Sequence, residues 1–194
     1  AGAGLGRCYA IELAKRGCKV VINDLGAPLK GDAVASTGGD RPADVIVKEI
    51  KGMGGEAVAN YDNVMDGAAV VKTAIDTWGR IDIVVNNAGI LRDVSFKKME
   101  SKDWNMVLDV HIGGHYAITR AAWPYMLEQK YGRCVFVTSV NGLYGQVGQT
   151  NYATAKGGIV GFAKALGKEG AKSNIKVNVR PWCRVTHDSH CIAR

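Results

Sequence analysis

Apolar positions along the chain fall into short consecutive runs, separated by longer segments in which they recur at helical intervals. The short runs cover residues 19–23, 56–60, 81–85 and 133–138, with another beginning at 176–179, and each predicts a strand. The run at 81–85 leads directly into an Asn-Asn turn and predicts a buried parallel strand. The helical segments are 7–16, 43–53, 67–78, 101–130 and 152–173, and 101–130 is predicted as one long helix in spite of Pro124. Residues 26–42 are polar and glycine-rich and predict a surface loop. Strands alternating with helices in this way predict an α/β domain built on a parallel sheet.

Composition changes this picture little. The length of 194 residues suits one domain with a substantial core. The formal charge of +7 is spread along the chain with no basic block. That argues against a nucleic-acid arm and for a solvated surface favouring anionic substrates. Cys8, Cys18, Cys134, Cys183 and Cys191 form no C-x-x-C pair, which fits a reducing compartment. No apolar run is long enough to span a bilayer, and no targeting signal is present. His187, His190 and Cys191 lack a regular ligand spacing, so no metal site is expected.

Candidate chemistry is concentrated in residues 139–156. Tyr152 and Lys156 lie four apart, on one face of the predicted helix. A free phenol titrates near about 10, too high for a base at neutral pH. An ammonium about 4 Å away supplies on the order of 4 kcal/mol at an effective dielectric near 20, roughly three pKa units. Such a pair can act as a general acid/base, and Ser139, just past a predicted strand, can hydrogen-bond the oxygen that loses its proton. Taken alone, Tyr-x-x-x-Lys also reads as a solvated helix face.

Gly2, Gly4, Leu5 and Gly6 precede the first helical segment and predict a phosphate-binding turn at a helix N-terminus. Asp24 ends the next strand about 20 residues on, where a carboxylate binds the ribose hydroxyls of NAD and repels the extra phosphate of NADP. It also reads as a turn aspartate before Gly26. Asp62 and Asn63 follow the second run and also read as a cap for the helix at 67–78.

Ser139 with Tyr152-x-x-x-Lys156, in this nucleotide-binding order, resembles the short-chain dehydrogenase/reductase family. The resemblance covers residues 2–179. It implies a Rossmann-type doubly wound parallel sheet and an NAD-dependent oxidoreductase in which Ser139, Tyr152 and Lys156 are catalytic and Lys156 holds the nicotinamide ribose. Gly4 and Gly6 match the last two glycines of the family's T-G-x-x-x-G-x-G. Asp62 and Asn63 match the position that borders the adenine. Asn86-Asn87-Ala88-Gly89 resembles the family's N-N-A-G, in which Asn87, Ala88 and Gly89 pass close to the cofactor and the amides tie neighbouring strands together. His111 stands where the family usually carries an Asn that serves a proton relay toward the lysine.

Segments 23–26, 59–62, 89–93, 120–123 and 129–133 resemble one branch, the (3R)-hydroxyacyl-CoA dehydrogenases of peroxisomal multifunctional enzymes. That branch implies an acyl-CoA substrate, fatty acid β-oxidation, a peroxisomal setting, and a homodimer formed through the segment 101–130 and the helix from Tyr152. Other members (3-ketoacyl-carrier-protein reductases, steroid dehydrogenases) are alternatives, as is a truncated, non-catalytic fragment. The family's first strand is expected to be lacking, since the glycine turn opens the chain, and so are its C-terminal strand and substrate loop. Residues 1–179 are read as the domain and 180–194 as a divergent, frame-shifted tail. One base string encodes both the tail's Arg-Pro-Trp-Cys-Arg-Val-Thr-His-Asp and, one base later, the family's Ala-Pro-Gly-Ala-Gly-Ser-Arg-Met.

Overall fold

The computed structural model describes residues 1–26 and 40–182. Cys183, His187, His190, Cys191 and most of the polar segment 26–42 therefore lie outside the described residues. Strands and helices alternate as the apolar pattern requires: α1 (Gly4–Lys15), β1 (Val20–Asn23), α2 (Pro42–Gly52), β2 (Ala57–Asn60), α3 (Gly67–Trp78), β3 (Ile83–Asn86), α4 (Ser101–Leu108), α5 (Gly114–Gln129), β4 (Gly132–Ser139), α6 (Asn141–Tyr144), α7 (Thr150–Gly170) and β5 (Ile175–Trp182). Every strand pair is parallel, which gives a Rossmann-like α/β fold.

Local chemistry sets the boundaries. Pro42 opens α2, where its missing N–H costs nothing. Gly79, in the left-handed region at φ 73°, ends α3. The N-cap of α3 is Asp66, whose carboxylate accepts from the Ala69 amide at 3.1 Å. The reading of Asp62 and Asn63 as that cap is thereby corrected. Asn63 Oδ1 instead accepts from the Met65 amide at 3.0 Å, and the Asp62 carboxylate accepts from Asn60 Nδ2 at 2.7 Å.

The long helix expected over 101–130 is interrupted. One π-helical turn, Asp109–Gly113, joins α4 to α5 and carries His111. Gly113 and Gly114 let this turn press against the loop before α3, since a Cβ on Gly114 would lie 2.6 Å from Val64 Cγ2. Asn86 Nδ2 donates to Thr119 Oγ1 of α5 at 2.9 Å, which ties the end of β3 to that helix.

The strands form two sheets, one of β2 and β1 and one of β3, β4 and β5. Between β1 and β3 lies a cavity of about 960 Å³, lined by Val20 and Val21 on one side and Val84 and Val85 on the other. Among the described residues, the edges of β1 and β3 that face it have no strand partner. Ala1 lines it, and the Ala1 nitrogen donates to Asn23 O at 2.5 Å and to Asp24 Oδ2 at 3.0 Å. β5 pairs with β4 from Gly132↔Ile175 to Ser139↔Trp182, so the ladder runs past Val179 into the segment read as divergent.

One core gathers Phe136, Cys134 and Val84 of the sheet with Met126 of α5 and Ile159 of α7. A second packs α1 and α2 on β1 and β2 through Ile11, Ile22, Ile46 and Ile50. A third, small core of Ile90, Val107, Tyr152 and Ala155 seats α7 against the loop after β3 and against α4. This last contact places the candidate chemistry. No helix among the described residues is long and apolar enough to cross a membrane.

Candidate active site

The site forms where the end of β4 meets α7. Thr138 Oγ1 donates to Lys156 O at 2.6 Å, and Lys156 Nζ donates to Val137 O at 2.7 Å, so strand and helix are stitched in both directions. Close approach depends on Gly142, where a Cβ would lie 2.7 Å from Gly157 N. The three residues singled out in sequence are brought together and buried: Ser139 is 3%, Tyr152 8% and Lys156 3% exposed. The exposed-face alternative for Tyr-x-x-x-Lys is excluded by that burial. Ser139 and Tyr152 line a cleft of about 420 Å³ together with Leu91, Asp93, Asn141 and Gln149.

The electrostatics differ from the expected ammonium–phenol pair. Burial pushes the Tyr152 phenol above its ordinary value; a hydrogen bond with Ser139 pulls it down, and the Asp93 charge pushes it up. Lys156 is not among these causes, because its ammonium is turned to the Val137 carbonyl and lies 5.5 Å from the centre of the tyrosine ring. Burial lowers Lys156 to about 8. Burial thus weakens the lysine charge and makes the Tyr152 phenol harder to ionise.

His111 is enclosed at 1% exposure and stands edge-on to the Tyr152 ring at 5.3 Å. Its Nε2 lies 2.9 Å from Ile90 O and 3.1 Å from Ile90 N. One ring nitrogen can donate to the carbonyl or accept from the amide, not both at once. Four residues on, His115 is equally buried, with Nε2 3.2 Å from Ala88 O. The sequence reading missed His115, although its i,i+4 spacing from His111 on the same helical face was a signal. Both histidines leave Nδ1 without a hydrogen-bond partner.

Burial, and next the Lys156 charge, lower His111 and His115 to about 3. Folded, both stay neutral; unfolded, both take up a proton near their ordinary value of about 6.5. Stability is therefore expected to fall as pH drops from about 6.5 toward 3, by on the order of 1 kcal/mol per pH unit for each histidine. Denaturant midpoints measured across that range check this. His115→Phe should flatten the acid decline, and an unchanged slope would show that His115 does not contribute to it.

The glycine turn fits a nucleotide's phosphates. α1 begins at Gly4 with no side chain capping its first amides, which leaves them for an anion. Gly4 is in the left-handed region at φ 53°, and a Cβ there would meet nothing within 4 Å. A Cβ on Gly6 would lie 2.8 Å from Ala1 Cα and 3.1 Å from Asn87 Nδ2, so the Asn87-Ala88-Gly89 turn packs directly on the glycine turn. Gly89 must itself be small, since a Cβ there would lie 2.3 Å from His111 Cε1.

Asp24 sits beside this turn. Its carboxylate accepts from the Gly2 amide at 2.7 Å and from the Gly26 amide at 2.8 Å. Asp62 lies beside the end of β1, where Asn23 Nδ2 donates to its carbonyl at 2.9 Å, and Asn60 holds its carboxylate at 2.7 Å. Gly2, Gly4, Leu5, Gly6, Asp24, Asn87, Ala88 and Gly89 thus gather at one end of the strands.

Residues 1–181 match the family model for short chain dehydrogenases. The chain belongs to the short-chain dehydrogenase family. It is an oxidoreductase domain of the kind that uses NAD or NADP. It is 52% identical over 179 residues to the peroxisomal multifunctional enzyme type 2 of Drosophila melanogaster, covering 92% of this chain and 29% of that protein. It is 54% identical over 186 residues to the peroxisomal hydratase-dehydrogenase-epimerase of Saccharomyces cerevisiae, covering 95% of this chain and 20% of that one. The chain therefore spans less than a third of the length of these relatives. Among solved structures, the full-length Drosophila enzyme superposes with a TM-score of 0.76 at 45% identity, over 92% of this chain and 28% of that one. A short chain dehydrogenase from Mycobacterium avium gives 0.83 at 37% identity, over 97% and 69%.

Proposed function

We propose that this domain oxidises a (3R)-hydroxyacyl-CoA to the 3-ketoacyl-CoA with NAD, as a step of fatty acid β-oxidation in a peroxisomal setting. The observation that carries the chemistry is the burial of Ser139, Tyr152 and Lys156, the first two of which line one cleft. The likeness to peroxisomal hydratase-dehydrogenase enzymes supports the substrate class. Bound NAD supplies the hydride acceptor. Tyr152 Oη takes the proton of the substrate hydroxyl, and Ser139 Oγ holds that oxygen in place. Lys156, fixed by Val137 O, carries positive charge at the floor of the site, and His111 orders the Ile90 backbone beside it. Gly2, Gly4, Leu5 and Gly6 would hold the phosphates, with Asn87, Ala88 and Gly89 alongside. Asp62 and Asn63 would border the adenine.

Turnover of a (3R)-hydroxyacyl-CoA with NAD, followed by the absorbance of the reduced cofactor, tests this reading. A chain that binds the reduced cofactor yet shows no turnover would favour a non-catalytic nucleotide-binding fragment. A preference for a 3-ketoacyl carrier protein with NADPH would favour the reductase alternative.

Asp24 is the residue that would choose NAD. Asp24→Ala with Leu25→Arg should raise the specificity constant for NADP over NAD by roughly tenfold or more, since the ribose acceptor is removed and a phosphate partner added. An unchanged ratio would count against the assignment.

The same reading makes the cavity between β1 and β3 the place of a further parallel strand. In the Rossmann order 3-2-1-4-5-6, strand 1 lies between strands 2 and 4. β1 and β3 would take those two places, which fits the observed order of β2, β1, then β3, β4 and β5. The domain is also proposed to form a homodimer through α5 and α7. Tyr116, Tyr125 and Leu127 of α5 are exposed, and Tyr116 lies 6.5 Å from Phe162 of α7. Sedimentation should find twice the monomer mass for the strand-completed domain; a monomer at micromolar concentration would exclude this interface.

A further inference from the structure

Outside the Ser–Tyr–Lys set, the side chains of Asp93, Gln149 and Asn141 are linked by hydrogen bonds, and the backbone of Asn141 connects them to Ser139. Gln149 Nε2 donates to Asp93 Oδ2 at 2.7 Å. Gln149 Oε1 accepts from Asn141 Nδ2 at 2.8 Å. The Asn141 backbone amide then donates to Ser139 Oγ at 3.2 Å. These residues come from three separate segments: the loop after β3, the start of α6, and the residue that precedes α7. Two hydrogen bonds to backbone carbonyls, one from a backbone amide and one from a side chain, link the loop after β3 to the start of α7. Val94 N donates to Gly148 O at 2.9 Å, and Asn151 Nδ2 donates to Arg92 O at 3.1 Å.

We propose that Asp93 and Gln149 are positioning residues, an arm that fixes Ser139 against Tyr152 by way of Asn141. Ser139 lies on the strand and Tyr152 on the helix, so their relative placement is not set by either element alone. The amide side chain of Gln149 suits this work because it donates at one end and accepts at the other. The Asn141 amide engages one acceptor site of Ser139 Oγ, and Ser139 lines the cleft with Tyr152. The inference rests on the roles given above to Ser139 and Tyr152, but one of its tests needs no turnover.

Charged and titratable groups face Tyr152 from each element around it: Lys156 from its own helix, His111 from the π turn, Asp93 from the loop after β3, and, farther off, His115. Arg92 and Asp103 pair with one another at 3.5 Å. A neutral substitution in the arm leaves all of these charges in place.

Gln149→Met, close in size but without hydrogen bonds, is expected to release Ser139. The titration midpoint of Tyr152, read by carbon-13 NMR of ring-labelled tyrosine in the full chain, should then move up, because the Ser139 hydrogen bond that lowers it is lost. Gln149→Glu sets a carboxylate against Asp93 and should reduce turnover by roughly tenfold, with KM for NAD unchanged. Adding Asp93→Asn to it restores a donor facing an acceptor and should recover activity to within about threefold. An unmoved Tyr152 midpoint in Gln149→Met would overturn the proposal, as would a double variant no more active than Gln149→Glu. If the chain turns over no hydroxyacyl-CoA at all, the function proposed above fails while the midpoint still decides this one.

Discussion

Tyr152→Phe is expected to lose turnover by roughly a thousandfold, the scale of a removed general base, while binding NAD as before. The substitution takes away one oxygen and leaves the ring in its place against His111 and within the small core of Ile90, Val107 and Ala155. Because Tyr152 is raised by burial, oxidation by the unaltered chain should quicken as pH rises above neutrality. The phenylalanine variant should show no such rise. Steady-state rates across pH, with cofactor affinity measured separately, check both points. A variant keeping more than a tenth of the turnover would remove Tyr152 from the reaction.

Adding one apolar, β-branched strand before Ala1 is expected to stabilise the domain by several kcal/mol. Each edge of β1 and β3 would gain hydrogen bonds worth about 1 kcal/mol net apiece. Buried apolar side chains add about 1.5–3 kcal/mol each, against about 1–2 kcal/mol of backbone entropy per ordered residue. For a domain of this size that corresponds to a rise in Tm on the order of ten degrees. The strand would run parallel to both neighbours and finish at Ala1, whose nitrogen already meets Asn23 at the end of β1. Thermal melts of the 194-residue chain with and without the extension test this. A scrambled, polar extension that stabilises equally, or a chain already melting as sharply as the extended form, would contradict it.

The alternation of strand and helix was legible because each element carries its own periodicity. The Ser139, Tyr152 and Lys156 set was legible because spacing along a helix fixes which side chains share a face. What could not be read was direction and competition. The four-residue spacing places Lys156 one turn from Tyr152, but the Val137 carbonyl, distant in sequence, takes its ammonium. The π turn at 109–113 has no signature in apolar periodicity, and it arises where Gly113 and Gly114 press on Met65 and Val64. Asp66, rather than Asp62 or Asn63, caps α3 because it alone stands directly before the first helical residue. The arm from Asp93 to Ser139 joins residues up to 56 apart in sequence, which local spacing does not reveal.

The proposed reaction moves hydride from the carbinol carbon of a (3R)-alcohol to the nicotinamide while Tyr152 takes the hydroxyl proton. A (3R)-hydroxyacyl-CoA carrying deuterium at that carbon tests this most directly, with the reduced cofactor analysed by mass spectrometry after turnover. The expected result is reduced NAD carrying one deuterium, none from the (3S) isomer, and none from either isomer with Tyr152→Phe. Unlabelled reduced cofactor, or label arising equally from the (3S) isomer, would contradict it.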